Sequence, residues 1–470
     1  MILRLLKDRV RMSRSQTGGN RLIHSGDSAV DLTLEILKKI TAGSDMQSLN
    51  VRLWNGIYWP DQAPKPATLV LNRPSSLREM LAECSELAMG EAYIREAFDI
   101  EGDMVAAFEL ADILAVHTRA WTQSLSIIGL LRRLPDFKER NGHEQMRAAR
   151  LNGTKNSPDR DRKAIRFHYD VSNDFYALWL DPRMVYSCAY FENPGASLEE
   201  AQLHKLDLIC RKLDLQPGQR LLDIGSGWGG LLIHASTRYG VYADGVTLSE
   251  KQLEWTRQLI EKNRLQDRVT VRLADYRELK REGNYDKAVS VGMVEHVGRK
   301  NLGVYFQQVS GLLKQGGLFL NHGIGRGPIP WTNEDEGFIN RYVFPDTDLP
   351  PISTMLEAAA GTGLEIRDVE SLREHYALTL RHWVRRLEAR HAEALREVDE
   401  TAYRIWRLYM AGSAHNFELG SISVYQTLLA RLTPEGKSQA PLTRQKWYRN
   451  VDETLDGCSC GGQVPRTAVI

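Results

Sequence analysis

A glycine-rich turn is the feature of this sequence that most directly indicates chemistry. It follows an apolar run, 221–224, that predicts a buried strand, and a helical face begins after it. The glycines are Gly225, Gly227, Gly229 and Gly230. Glycine lets the backbone approach a ligand and adopt positive φ cheaply, as in nucleotide-binding α/β folds, although such a turn also fits other α/β proteins. Asp223, just before the turn, would repel a pyrophosphate but can accept hydrogen bonds from an ammonium group, which favours S-adenosylmethionine.

Polar residues follow several of the later predicted strands. Apolar and β-branched runs predict strands at 241–248, 267–273, 285–291, 317–322, 364–369 and 422–429. Helical stretches separate most of them, which predicts a parallel sheet, and ligands of such sheets bind outside the carboxyl ends of the strands. The polar residues found there are Asp275, Tyr276, Glu295, His296 and His322. We therefore expect one site at this edge of the sheet.

Composition limits the remaining possibilities. The chain has 470 residues, 42% hydrophobic and 26% charged, which is typical of a folded protein of two or three domains. A net charge of +1 gives no global attraction to nucleic acid, and no nucleic-acid partner is expected. Five scattered cysteines without zinc-site spacing predict a reduced, intracellular protein and no metal site. No apolar run reaches membrane-spanning length, and the charged start argues against a secretory signal.

The sequence divides into four predicted parts. They are an α+β N-terminal domain at 1–140, a charged linker at 141–163, the catalytic domain at 164–450 and a flexible tail at 451–470. In the first part we predict helices at 31–40, 87–98 and 104–116 and strands at 50–54 and 67–71. A basic amphipathic helix at 2–10 would lie on an anionic membrane, unless it is a frayed terminus. The apolar stretch 124–134 is predicted to pack in the core rather than contact lipid, and the basic linker is either solvated or bound to lipid phosphates.

Five ordered motifs give the chain a specific family resemblance. They are Tyr186-Ser-Cys-Ala-Tyr-Phe, Leu222-Asp-Ile-Gly-Ser-Gly-Trp-Gly-Gly, Gly245-Val-Thr-Leu-Ser-Glu-Lys-Gln, Ser290-Val-Gly-Met-Val-Glu-His-Val-Gly and Ile339-Asn-Arg-Tyr-Val-Phe-Pro. In these motifs the chain resembles the cyclopropane fatty-acyl-phospholipid synthases, to which the mycolic-acid methyltransferases are related. The resemblance covers 167–432 and extends more weakly to 52–116. It implies an α/β fold, with a Rossmann-like class I S-adenosylmethionine methyltransferase domain and a smaller α+β N-terminal domain.

The resemblance also implies a reaction. The family transfers the methyl group of S-adenosylmethionine to the double bond of an unsaturated phospholipid acyl chain, and the resulting carbocation loses a proton to close a cyclopropane ring. The implied base is a bound bicarbonate. Its ligands would be Glu295, His322 and Tyr376, together with the backbone of Cys188 and Ile324. Such a site must be dry, because water would quench the carbocation.

A set of cofactor-binding residues follows from the same resemblance. Thr247, helped by Gln252, takes the ribose position that an acidic residue often occupies, whereas Asp244 lies inside a predicted strand and is set aside. The full predicted set is Tyr186, Ser187, Asp223, Gly225, Gly227, Trp228, Gly229, Thr247, Leu248, Gln252, Asp275, Tyr276 and His296.

Individual catalytic assignments have structural alternatives. Glu295 could be a buried structural carboxylate, His322 could cap a turn and Cys188 could be a core residue. Tyr376 could be an ordinary amphipathic aromatic. Ser413 stands where many relatives carry a cysteine, and this difference favours a base other than a thiol.

The sequence is compatible with more than one function. The prediction is a cytoplasmic, homodimeric enzyme on the inner face of the membrane, which acts on acyl chains of an anionic phospholipid bilayer. A related lipid methyltransferase would leave a methyl or methylene branch instead of a ring. A small-molecule N-methyltransferase, or a cofactor-binding lipid-transfer or scaffold protein, would use the same scaffold.

Overall fold

The computed structural model describes residues 26–44, 46–83, 85–117, 121–137, 157–169, 171–329 and 337–448. Three predictions lie outside these ranges. They are the basic helix at 2–10, most of the charged linker, and the tail with Cys458 and Cys460.

The N-terminal module, residues 26–137, is built on a four-stranded sheet. Its strands are β1 (Leu49–Arg52), β2 (Tyr58–Trp59), β3 (Ala67–Leu71) and β4 (Phe98–Gly102), in the order β2-β1-β3-β4. Its helices are α1 (Gly26–Ile40), α2 (Ser76–Leu81), α3 (Glu86–Ile94), α4 (Glu109–His117) and α5 (Trp121–Leu131). Strand β4 was not predicted from the sequence, because the helix predicted at 87–98 ends at Ile94 in the structure. The helix ends earlier since Glu96 adopts a left-handed φ of 54°.

The second part of the chain forms a seven-stranded sheet. Its strands are β5 (Arg220–Ile224), β6 (Tyr242–Thr247), β7 (Val269–Leu273), β8 (Tyr285–Val291), β9 (Leu313–Arg326), β10 (Leu364–Ser371) and β11 (Ile422–Arg431). The order is β10-β11-β9-β8-β5-β6-β7. The five strands from β9 to β7 are parallel, and β11 runs antiparallel to both of its neighbours, β9 and β10. The strands that follow β5 in the chain are added first on one side of it, as β6 and β7, and then on the other side, as β8 and β9. Open α/β sheets bind ligands at the point where the strand order switches sides in this way, which here lies between β5 and β8.

Helices cover both faces of this sheet. They are α6 (Pro158–Tyr169), α7 (Asn173–Ala177), α8 (Leu198–Lys212), α9 (Gly230–Tyr239), α10 (Glu250–Lys262), α11 (Val294–Val297), α12 (Leu302–Leu312), α13 (Phe338–Tyr342), α14 (Ile352–Ala360), α15 (Arg373–Ala389), α16 (His391–Glu397) and α17 (Glu400–Leu419). Helices α8, α9 and α10 pack on one face of the sheet, and α11, α12 and α14 on the other. None of the helices within the described ranges is long and apolar enough to cross a membrane.

One hydrophobic core joins the N-terminal module to α15 and α17. It contains side chains of the module, including Leu130, Leu131 and Leu134 from the apolar stretch, together with residues of both helices. Two buried arginines of α17 reinforce the connection. Arg404 Nε donates to the carbonyl oxygen of Tyr93 at 2.9 Å, and Arg407 Nη1 donates to the Tyr93 hydroxyl at 2.8 Å. The module therefore fixes the position of α17.

Contact between the module and α13 generates a stability prediction. A Cβ on Gly90, in α3, would lie 2.4 Å from Cδ2 of Phe338, whereas a Cβ on Gly129, in α5, would meet no atom within 4 Å. We expect Gly90→Ala to lower the free energy of unfolding by about 1–3 kcal/mol through overpacking. Gly129→Ala should raise it by about 0.5–1 kcal/mol, because alanine loses less backbone entropy in a helix. Urea denaturation of both variants measures this, and equal shifts would contradict the predicted contact.

Candidate active site

A first cavity of about 150 Å³ lies at the carboxyl ends of β5, β6 and β8. All of the predicted cofactor residues except Gly229 line it: Tyr186, Ser187, Asp223, Gly225, Gly227, Trp228, Thr247, Leu248, Gln252, Asp275, Tyr276 and His296. The glycine turn allows this approach because Gly225 and Gly227 have φ of 80° and 54°. Residues scattered over 110 positions of sequence thus meet in one place.

Gly229 is the one predicted cofactor residue that does not border the first cavity. It has a left-handed φ of 82° at the start of α9, and a Cβ there would lie 2.5 Å from Cγ2 of Thr256. A glycine is therefore required at this position because the turn packs closely against α10, and not because a ligand approaches the backbone there.

Several polar side chains that line the first cavity form hydrogen bonds with one another. The Thr247 hydroxyl donates to Gln252 Oε1 at 2.8 Å, so these two residues form a fixed pair. Asp275 accepts hydrogen bonds from the Arg277 guanidinium at 2.6 and 2.9 Å. Burial alone raises the pKa of Asp275, but the bonds from Arg277 outweigh burial and hold that pKa below its usual value. Asp244, set aside earlier, instead pairs with Arg220 at 2.7 Å.

Sequence reasoning missed Lys205, which also lines the first cavity. Its side chain is 1% exposed, and burial lowers its pKa to about 8. Burial likewise raises the pKa of Asp223 to about 7, against the opposing effect of the Lys205 charge. A signal was available, since Lys205 lies four residues from both Ala201 and Ile209 on the buried face of an otherwise amphipathic helix.

A second cavity of about 600 Å³ adjoins the first. The residues that line both cavities are Tyr186, Ser187, Gly292 and His296. All five predicted catalytic residues line the second cavity: Cys188, Glu295, His322, Ile324 and Tyr376. Much of the remaining wall is apolar and comes from α13, α15, α17 and the strands beside them. The structure therefore brings the predicted cofactor and catalytic residues to two spaces that share a wall.

Glu295 and His322 each present an unpartnered polar atom within the described part of the chain. Oε1 of Glu295 accepts a hydrogen bond from the Ile324 N–H at 2.6 Å, and its Oε2 is buried without a partner. The Ile324 N–H is thus engaged by Glu295. Nδ1 of His322 lies 3.2 Å from the amide nitrogen of Gln426, while Nε2 is buried without a partner. Since the Gln426 amide is a donor, we assign the imidazole proton to Nε2.

Burial sets the charge state of these groups. It raises the pKa of Glu295 to about 7, and it lowers the pKa of His322 well below its usual value with help from Lys205 and Lys212. Burial also lowers the pKa of His296 to about 4. The histidines are therefore neutral near pH 7, whereas Glu295 exchanges its proton there. This combination can donate and accept hydrogen bonds without leaving a fixed unpaired charge in the cavity.

The thiol of Cys188 is not a nucleophile in this environment. The side chain is fully buried, and its Sγ faces the carbonyl oxygens of Ala189 at 3.2 Å and Leu372 at 3.7 Å. Burial raises the pKa of Cys188, so the thiol stays protonated. Ser413, which stands where many relatives carry a cysteine, lines the same cavity.

Aromatic side chains enclose the boundary between the two cavities. Tyr186 packs against Trp383 with ring centroids 5.2 Å apart and against Trp179 at 5.3 Å, and its hydroxyl lies 3.4 Å from that of Tyr409. Burial raises the pKa of Tyr186 well above its usual value. Such a wall excludes water, and its π faces attract positive charge.

Comparison with known proteins identifies the family. The family described as mycolic acid cyclopropane synthetase matches residues 156–427. This chain belongs to the mycolic acid cyclopropane synthetase family. A probable fatty acid methyltransferase of Pseudomonas putida is 40% identical to it, over 85% of this chain and 96% of its own length. The cyclopropane-fatty-acyl-phospholipid synthase of Escherichia coli K12 is 37% identical, over 57% of this chain and 68% of its own length.

A solved structure of the family has the same fold. Mycolic acid cyclopropane synthase CmaA1, complexed with SAH and CTAB, superposes with a TM-score of 0.54 at 35% identity, covering 57% of this chain and 98% of its own. The predicted resemblance and the predicted α/β fold class are thereby confirmed. As a member of the mycolic acid cyclopropane synthetase family, the protein is an S-adenosylmethionine-dependent methyltransferase.

Titration of Glu295 generates a prediction about stability. Folding raises the pKa of Glu295 from 4.5 to about 7. The contribution of this shift to the free energy of unfolding is therefore fully present below pH 4.5 and is lost as the pH rises through 7. Between these values the free energy of unfolding of the wild type should fall by roughly 2–3 kcal/mol relative to Glu295→Gln. Denaturant titrations from pH 4.5 to 8 measure this difference. The exposed Glu374→Gln is the control and should follow the wild type, and a constant offset for Glu295→Gln would refute the assignment.

Proposed function

We propose that this protein transfers a methylene group from S-adenosylmethionine to the double bond of unsaturated acyl chains in membrane phospholipids, forming cyclopropane fatty acids. One observation carries the proposal. A large, mainly apolar cavity holds Glu295 and His322 with unpartnered polar atoms, and it shares Tyr186 and His296 with the cavity of the glycine turn. An acyl chain in the second cavity would therefore meet the donor methyl group at the shared wall.

Each step of this reaction has a counterpart in the residues present. An alkene carbon bonds to the methyl carbon as the carbon–sulfur bond breaks, which leaves a carbocation on the chain. The π faces of Tyr186 and its aromatic neighbours stabilise that cation and exclude water. Loss of a proton from the added carbon closes the ring. His322 holds a neutral N–H toward the cavity, and Glu295 exchanges a proton near pH 7.

The residues around these atoms fit a small oxyanion such as bicarbonate. His322 Nε2 is a buried donor without a partner among the described residues, and Tyr376 supplies a hydroxyl in the same cavity. Glu295 either donates or accepts, according to its protonation. A bicarbonate held by these side chains would supply the base for the ring-closing proton transfer.

A second candidate follows from the Pseudomonas putida relative, which matches along 85% of this chain. Its name is probable fatty acid methyltransferase, which suggests a methyl or methylene branch rather than a ring. The two reactions share the cation and differ only in how it is resolved. The large, mainly apolar second cavity is less suited to the small polar substrate of an N-methyltransferase.

A vesicle assay tests the proposal. Unilamellar vesicles of unsaturated phospholipid are incubated with methyl-labelled S-adenosylmethionine, with and without bicarbonate, and the lipids are analysed by mass spectrometry and NMR. We expect cyclopropane protons and a dependence on bicarbonate. A ring and a methylene branch share a mass, so NMR separates them, and a reduced methyl branch is heavier by two hydrogens. Cofactor binding without any lipid product would instead favour a lipid-transfer or scaffold role.

Glu295 and His322 should affect turnover more than cofactor affinity. We expect Glu295→Gln and His322→Ala each to lower kcat about 10²-fold or more, since both act where the cation loses its proton. The Kd for S-adenosylmethionine should change by less than about threefold. The exposed His391→Ala is the control and should retain activity. Equal losses in kcat and affinity would contradict these roles.

Membrane association and assembly are further parts of this proposal. We propose that residues 1–140 dock on an anionic bilayer and form the homodimer contact. Co-sedimentation with anionic and zwitterionic vesicles, together with light scattering in solution, tests both points. A monomer that binds the two kinds of vesicle equally would contradict them.

A further inference from the structure

Two buried charges of opposite sign line the first cavity. Lys205, on α8, is 1% exposed, and Asp223, at the end of β5, is 3% exposed. Neither forms an ion pair with the other or with any residue in the described ranges. Burying an unpaired charge is expensive, so two such charges facing one cavity indicate a ligand that completes them.

The contacts of Lys205 leave donors available. Its Nζ donates to Ser187 Oγ at 2.9 Å, and an ammonium group has three protons to donate. Asp181 lies near it, but the Asp181 carboxylate is already bound by the N–H groups of Val185 at 2.9 Å and Arg183 at 3.1 Å. Ser187 therefore orients the Lys205 ammonium without neutralising it.

S-adenosylmethionine has a complementary arrangement of charge. Its amino-acid end carries an ammonium and a carboxylate on the same carbon. Asp223 is suited to bind the ammonium group, which leaves the carboxylate of S-adenosylmethionine without an assigned partner. We propose that Lys205 binds the carboxylate of S-adenosylmethionine, with Ser187 holding its side chain in place. This makes Lys205 a specificity determinant for the intact amino acid.

Bicarbonate is the competing anion for Lys205. The Lys205 side chain lines the first cavity and not the second, where Glu295, His322 and Tyr376 lie. Ser187 lines both cavities, so Lys205 reaches the second one only through that hydroxyl. The geometry thus favours the carboxylate of the cofactor.

Calorimetry with two ligands tests this inference. S-adenosylmethionine is compared with decarboxylated S-adenosylmethionine, which retains the sulfonium and the ammonium but lacks the carboxylate. In the wild type we expect the Kd to be about 10- to 100-fold higher for the decarboxylated ligand, as for loss of a charge-assisted hydrogen bond. Lys205→Met should bind S-adenosylmethionine about 10- to 100-fold more weakly and bind the two ligands within about threefold of each other. Lys205→Arg should keep most of the discrimination.

A second buried lysine, which lies in the seven-stranded sheet, provides a matched control. Lys287, in β8, is also 1% exposed and lines neither cavity. Lys287→Met should retain the wild-type ratio of the two affinities, even if it unfolds at a lower temperature. Should Lys205→Met fail to fold, the wild-type ligand pair decides alone, because equal affinities for both ligands would overturn the inference.

Further outcomes overturn the assignment. One is a Lys205→Met variant that still prefers S-adenosylmethionine by the wild-type factor. Another is a variant with normal cofactor affinity that needs more bicarbonate for turnover, which would place Lys205 with the second anion. The calorimetric comparison of the two ligands requires no lipid, so it succeeds or fails independently of the proposed reaction on phospholipid.

Discussion

Ionisable groups in this protein are kept inside cavities whose walls are largely apolar, and the surrounding structure is what makes that possible. Glu295 is 5% exposed and Lys205 is 1% exposed, and each side chain uses only part of its hydrogen-bonding capacity. In water such groups would be solvated and their pKa values ordinary. Within these walls the proton of Glu295 is exchangeable near pH 7, and the charge of Lys205 is available to a ligand. Both effects depend on water being excluded.

The aromatic wall and the N-terminal module together maintain this exclusion. Tyr186 sits among Trp179, Trp383 and Tyr409, and two of these side chains come from α15 and α17. Those helices share a core with the module, and Arg404 and Arg407 tie α17 to it. The module is thus part of the structure that encloses the second cavity, as well as a candidate for lipid docking. A catalytic sheet without it would lack support on one side of this wall.

Several aspects of the site could be predicted from local sequence. The strand before the glycine turn, the positive φ of Gly225 and Gly227, and the polar residues after β8 all follow from side-chain size, backbone freedom and hydrophobic alternation. The motif resemblance then predicted which residues belong to the cofactor and which to the reaction. Gly229 shows the limit of this reasoning, because a glycine within the motif is required by the approach of Thr256, a contact between separate helices.

The sequence by itself determined the fold class, the family and the polar residues that follow β7 and β8, since these depend on short-range periodicity and on motifs with fixed spacing. Its prediction of a strand end at His322 was wrong, because His322 lies inside β9, which continues to Arg326. The sequence did not determine β4, the shared core or the place of Lys205. The tertiary structure decided those, because each depends on contacts between segments distant in the chain. It also decided the proton state of Glu295, since the same carboxylate has an ordinary pKa when exposed and a pKa of about 7 only when the folded chain removes its water.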